Sequence, residues 1–168
     1  MDTLKTLLIA ARSLLFATGF ATLWGWLALG MRRYDAQLGA RLPDVPLAGI
    51  AVMIAGALIA ISCIGTFVVR GRGTPAPFDA PRRFVAEGPY RYVRNPMYIG
   101  GFLALIGFGL YERSAAILLF SCGFVLLTHV FVIGYEEPTL REKFGEAYLR
   151  YCATVHRWIP RRTNAPGG

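Results

Sequence analysis

The chain has 168 residues, 55% of them apolar and 17% charged, with a mean hydropathy of +0.45 and a formal net charge of +8. A soluble domain carries about 45–50% apolar and about 25% charged residues, and a one-domain length leaves no larger core to absorb the excess. Disorder, collagen-like repetition and a disulfide scaffold are excluded, and the long apolar blocks identify an all-α integral membrane protein, read as a single membrane domain over residues 1–168.

A helix crossing about 30 Å of hydrocarbon needs roughly 20 apolar residues. Residues 7–30 supply the first such block, with Arg12 close enough to its start to reach the headgroups. This run is too long for a signal-peptide core, and no small-residue cleavage site precedes Arg32-Arg33, so the segment is expected to stay attached. Residues 47–69 form a second block with no charge. The stretch 97–135 is interrupted by Glu112-Arg113 alone and reads as two helices, 97–111 and 114–135, joined by a tight turn. Gly100, Gly101, Gly107 and Gly109 suit the first of these to close helix contacts. At about 22 Å for 15 residues it is short of the bilayer thickness, which predicts a start at Asn95-Pro96 submerged beneath the headgroups and covered by protein.

The basic residues flank these blocks, so the charge is assigned to anionic membrane lipids and topology rather than to nucleic acid. Segment 70–94 and the tail after Tyr135 hold six Lys or Arg each, against three in loop 31–46 and one, Arg113, in the short turn. Twelve against four places the long loop, the tail and the N-terminus in the cytoplasm, and a bacterial chain of this kind would sit in the inner membrane. Cys63, Cys122 and Cys152 form no C-x-x-C pair, so neither a disulfide framework nor a metal site is expected, and each thiol reads as a small hydrophobe.

Two segments carry the polar chemistry. Region 71–96 contains Pro75, Pro77, Pro81, Pro89 and Pro96 and reads as a stiff non-helical strap. It ends in Gly88-Pro89-Tyr90-Arg91-Tyr92-Val93-Arg94-Asn95-Pro96-Met97-Tyr98, where arginines, an amide and tyrosines crowd the mouth of a helical bundle. Composition alone also fits a juxtamembrane belt. The second segment is Glu136-Glu137-Pro138, at the end of the fourth span. Orientation does not need these carboxylates, but a helix N-terminus would welcome them, with Pro138 in its first turn. Leu140, Phe144, Ala147, Tyr148 and Tyr151 then fall on one apolar stripe of an amphipathic C-terminal helix. Together the elements 70–96 and 136–160 offer arginines for a carboxylate, carboxylates for an ammonium or ribose, and aromatic faces for a base or sulfonium.

These two motifs, with Leu140, Phe144-Gly145, Tyr148 and Tyr151 at their spacing and the ending Val155-His156-Arg157-Trp158-Ile159-Pro160, resemble the isoprenylcysteine carboxyl methyltransferase and phospholipid methyltransferase superfamily over residues 70–160. Gly65-Thr66-Phe67 is a weaker echo. The resemblance implies an S-adenosyl-L-methionine-dependent methyltransferase acting on a lipophilic or membrane-associated acceptor at the cytoplasmic face. Cofactor contacts carried over from it fall on Val85, Tyr90, Arg91, Arg94, Asn95, Pro96, Tyr98, Glu136 and Glu137, with Asn95 and Glu136 as candidates for a catalytic role. Asn95 stands where the family most often has histidine, and it cannot titrate near neutrality. Residues 130–135 lack the arginine that reads the substrate carboxylate in the carboxyl methyltransferases, so a prenylcysteine carboxylate is a poor acceptor candidate.

His129 lies seven residues before Glu136 and either points into the same pocket or bonds a neighbouring element. His156 reads as a surface residue. A small four-span transporter and a non-catalytic adaptor of the same fold are the competing functions. The first two spans hold no Asp or Glu for ion coupling.

Overall fold

The computed structural model of the chain describes residues 3–40, 42–71 and 84–160, and helices dominate these residues with no strand among them. Helix α1 spans Thr3–Met31. A 3₁₀ turn and the short α2 (Asp35–Leu38) follow, then α3 (Pro46–Thr66), α4 (Pro96–Tyr111), α5 (Ala115–Phe131) and α6 (Glu137–Thr154). Among the described residues three helical stretches are long and apolar enough to cross a membrane: Thr6–Leu38, Pro46–Val69 and the apolar part of Ala115–Thr154. Pro96–Tyr111 is a shorter apolar helix. Leu7, Leu8, Leu14, Leu15, Leu58, Ile61, Leu119, Leu126 and Val130 are all exposed, an apolar belt suited to contact with lipid.

Hydropathy does not say which faces of such uniformly apolar helices meet; glycine does. A Cβ on Gly56 of α3 would stand 2.5 Å from the Gly100 carbonyl oxygen of α4, and one on Gly100 would stand 2.7 Å from the Gly56 oxygen. The same reciprocity joins Gly49 and Gly107, at 2.8 and 2.6 Å from each other's carbonyl. Gly49, Gly56 and the buried Cys63 recur every seven residues on α3, as Gly100 and Gly107 do on α4, so the two backbones run in direct contact. Gly101 and Gly109 turn the other way, toward Phe124 and Leu118 of α5. On the far side Trp24 of α1 packs edge-on against Phe124, with ring centres 4.8 Å apart, over the buried Ala28, Leu105 and Ile117.

The predicted turn closes where expected. Helix α4 ends at Tyr111, and Ser114 caps α5 by accepting the Ile117 N–H at 3.1 Å. Asp35 accepts the Ala116 N–H at 2.9 Å, and Arg32 pairs with Glu112 at 2.7 Å, so loop 31–46 and this turn share one end of the bundle. Segment 84–95 and residues 136–160 meet at the other end. Of the strap, residues 72–83 lie outside the described residues, with Pro75, Pro77 and Pro81 among them, as does Arg41.

Two expectations are corrected, the second at a single residue. Helix α5 does not stop before a separately capped helix: it runs through a π-helical turn, Val132–Glu136, directly into α6. Proline lacks the N–H that an α-helix would use at position 138. The wider turn accommodates that gap, with the Glu137 N–H bonded to the Val132 carbonyl. Glu136 and Glu137 therefore sit in mid-helix and cap nothing. Gly145 adopts φ 49°, ψ −127° inside α6, yet the apolar stripe holds at four of its five positions, Leu140 and Phe144 packing against the buried Tyr148 and Tyr151. Ala147 alone of the stripe is exposed, and Tyr148, Tyr151 and Val155 are buried against Phe84 and Ala86. Gly145→Ala adds no clash, since nothing lies within 4 Å of its Cβ position, but it forces an L-residue into glycine-only backbone. The expected loss is about 1–3 kcal/mol, read as a lower thermal unfolding midpoint in detergent.

Candidate functional site

The turn Gly88–Arg91 begins on a left-handed glycine, Gly88 at φ 58°, whose Cβ position lies 2.5 Å from Thr66 Oγ1. Glycine is required there both by conformation and by space. The turn seats Tyr90 in a buried cluster with Cys63 and Val85, its ring edge-on to Phe67 at 5.2 Å. Thr66 and Phe67 thus form the floor beneath the 88–91 turn, while Gly65 is exposed and outside it. Tyr151 of α6 donates its hydroxyl to the Tyr90 carbonyl at 2.6 Å and ties the kinked helix to this turn.

Asn95 and Pro96, both buried, start α4, and one turn later the Tyr98 hydroxyl donates to Glu136 Oε2 at 2.9 Å. Burial raises the Glu136 carboxyl above the ordinary carboxylate range; the Tyr98 bond opposes this and the charge of Glu137 adds to it. Glu137, about 100° further round the helix, faces a different set of partners. Arg157 clamps it with two N–H groups at 2.7 and 3.0 Å, and Arg94 Nη1 approaches at 3.3 Å. Burial alone would raise this carboxyl too, but the Arg157 bonds and the charges of Arg94, Arg157 and Arg141 outweigh it and hold it low. Adjacent carboxylates are thereby pushed in opposite directions. One consequence concerns acid stability. A group depressed in the folded state stabilises fully above its unfolded value, near 4.5, and loses that contribution as pH falls through its folded value. Thermal midpoints measured from neutral pH downward should therefore decline across the acidic range, and Glu137→Gln should flatten that decline.

Arg94 is the most engaged of the predicted cations. Its Nη1 also donates to Cys152 Sγ at 2.7 Å, while its Nε is buried and has no hydrogen-bond partner among the described residues. Arg91 is not brought in: it is exposed, with its guanidinium 4.8 Å over the Tyr92 ring. Val85, Tyr90, Arg94, Asn95, Pro96, Tyr98, Glu136 and Glu137 are brought to one end of the bundle.

The last described residues complete the arrangement in a way the sequence reading did not assign. Residue 155 leaves the helix in extended conformation, and the chain turns back over α4. The carbonyl of the exposed His156 accepts the Arg94 N–H at 2.9 Å, and that of Arg157 accepts the Asn95 side-chain amide at 3.2 Å. Trp158 donates its indole N–H to His129 Nδ1 at 2.9 Å and lies with its ring centre 6.5 Å from that of Tyr98. His129 is therefore bonded to a neighbouring element, and a nitrogen that accepts leaves the neutral ring's proton on Nε2. The only sequence signal for these contacts was the characteristic ending 155–160. Among the described residues no group of three or more His, Cys, Asp or Glu could hold a metal ion.

Comparison with known proteins gives this end of the bundle its context. An uncharacterized protein of Haemophilus influenzae is 35% identical over 63 residues, which is 38% of this chain and the whole of that protein. The family model described as phospholipid methyltransferase matches residues 45–147, from the start of α3 into α6, and so spans both the 90–98 turn and the Glu136-Glu137 pair. The chain belongs to the phospholipid methyltransferase family.

Proposed function

We propose that the protein is a four-span, single-domain membrane methyltransferase that uses S-adenosyl-L-methionine and modifies a lipophilic or membrane-associated acceptor at the cytoplasmic face. In a bacterium it would lie in the inner membrane, with the 70–96 strap and the 136–160 segment in the cytoplasm. The family supports methyl transfer. The charge asymmetry supports the orientation, because the described basic residues Arg91, Arg94, Arg141, Lys143, Arg150 and Arg157 and the candidate site share an end.

The observation that carries the donor site is the split carboxylate pair. Glu137 is consumed by Arg157 and Arg94, whereas Glu136 faces Tyr98 and holds a proton more readily. The residues fit a zwitterionic sulfonium. Glu136 would take its ammonium or ribose hydroxyls, and the unpartnered Arg94 Nε would take its carboxylate. Tyr98 would supply an aromatic face, Tyr90 and Val85 the floor, and Asn95 and Pro96 the fixed start of α4. Arg91 and Glu137 would act from outside the contact shell.

The bound donor supplies an already activated methyl group. The protein's part is orientation and exclusion of water. A half-buried carboxyl held by a tyrosine hydroxyl is also placed to accept a proton from an amine, thiol or hydroxyl acceptor, a role Asn95 cannot take. Calorimetric titration of S-adenosyl-L-methionine into the detergent-purified chain tests this reading. Micromolar binding is expected. Its absence from folded wild type would favour an adaptor that kept the fold without the chemistry.

A further inference from the structure

The family match ends at residue 147, yet the polar contacts around the two motifs continue to residue 158. The segment after α6 reaches Arg94 through the His156 carbonyl, Asn95 and Glu137 through Arg157, and His129 and Tyr98 through Trp158. Those five positions lie on three different elements, the 88–98 turn and helix start, α5 and the head of α6.

The chemistry of the contacts is specific. Glu137 is a buried carboxylate in the turn beside Glu136, and an unpaired charge there would be costly. Arg94 alone offers it a single approach at 3.3 Å and spends the same nitrogen on Cys152. Arg157 supplies the planar two-donor fork that fixes a carboxylate in both position and rotation. A carboxylate fixed in this way fixes the helical turn bearing it, and the next residue back on that turn is Glu136. Trp158 acts from the opposite side. Anchored by its N–H to His129, it stands beside the Tyr98 ring, whose hydroxyl meets the same Glu136.

We infer that Arg157 and Trp158 are positioning residues of the methyl-donor site, a C-terminal clamp that sets the direction of Glu136 from two sides, Arg157 through Glu137 and Trp158 through Tyr98. This role rests on the donor site proposed above. Neither residue touches the donor; each holds a residue that does, or the neighbour of one.

The test uses the full chain in detergent, titrated with S-adenosyl-L-methionine and, separately, S-adenosylhomocysteine. Arg157→Ala, Arg157→Lys, Trp158→Phe and the double variant Glu137→Gln/Arg157→Ala are compared with wild type, each at a temperature where it is fully folded. Arg157→Ala is expected to bind both ligands at least tenfold more weakly. Arg157→Lys, which keeps the charge and loses the fork, should recover part of that. The double variant should be no weaker than Arg157→Ala, since both changes break one link. Trp158→Phe, which keeps the ring and loses the N–H, should weaken binding severalfold. Should Arg157→Ala fail to fold, Arg157→Lys and Trp158→Phe carry the comparison. Binding within twofold of wild type in the folded variants overturns the clamp while leaving the donor site standing. Wild type that binds neither ligand overturns the donor site, and the clamp with it.

Discussion

Replacing Gly56 by alanine should destabilise the protein by about 1–3 kcal/mol, the range expected for overpacking a rigid contact. The sign is the informative part. In a helix interior alanine is normally favoured over glycine by about 1 kcal/mol, and Gly65→Ala on the same helix, with nothing within 4 Å of its Cβ position, should follow that rule. At Gly56 the added carbon meets backbone on α4, the Gly100 oxygen at 2.5 Å and the Ala104 nitrogen at 2.7 Å. Side chains can rotate away from an intruder; a helix backbone can only be pushed back as a unit. Helix α4 begins at Pro96 and carries Tyr98 on its first turn, so any displacement also shifts the partner of Glu136. Thermal unfolding in detergent should place Gly56→Ala well below wild type and Gly65→Ala level with it or above. Donor affinity should fall with the first and hold with the second. Equal midpoints for the two variants would mean that α3 and α4 are not in backbone contact.

The contrast between those glycines shows what could be read from the sequence and what could not. Apolar blocks of about 20 residues announce spans because length and hydropathy are local quantities, and the turn at Glu112-Arg113 was legible for the same reason. Which face of α3 meets α4 was not, since both helices are apolar all round and lipid rewards no face over another. The glycines of α4 were noticed as small, but their sorting between α3 and α5 needed the helix positions. At the candidate site the two motifs were legible through their residue types and through the family likeness. The π-helical turn was hidden. Pro138 after two acidic residues has the grammar of a helix start, and only the Glu137-to-Val132 bond shows a helix passing through. That one wide turn rotates everything beyond it and decides that Glu136 meets Tyr98 while Glu137 meets arginine. Arg157 and Trp158 stayed unassigned because a bidentate clamp across twenty residues and an indole bond across twenty-nine leave no periodic trace.

Glu136→Gln should abolish measurable donor binding, or weaken it at least tenfold, without lowering the stability of the fold. The two effects separate because of how this carboxyl is held. Burial raises it, so the folded state binds its proton more tightly than the unfolded chain does. For an acid of that kind, stability declines as pH climbs from the unfolded value through the folded one, and the ionised form burdens the fold above that window. A neutral amide of the same shape removes the burden and still accepts the Tyr98 hydroxyl through its carbonyl oxygen. The thermal midpoint at neutral pH should therefore be unchanged or higher. What the amide loses is charge. A hydrogen bond to an ionised group contributes about 1.5–3 kcal/mol, which corresponds to roughly ten- to a hundredfold in affinity. Glu137→Gln should behave in the opposite sense at the same pH. It strands Arg94 and Arg157 beside a neutral group and lowers the midpoint, with any loss of binding following from misplacement of Glu136. Measured side by side by calorimetry and thermal unfolding, the two isosteric changes should thus sort one carboxylate to the ligand and the other to the fold. A lower midpoint with intact affinity for Glu136→Gln would reverse that assignment and make Glu137 the residue facing the donor.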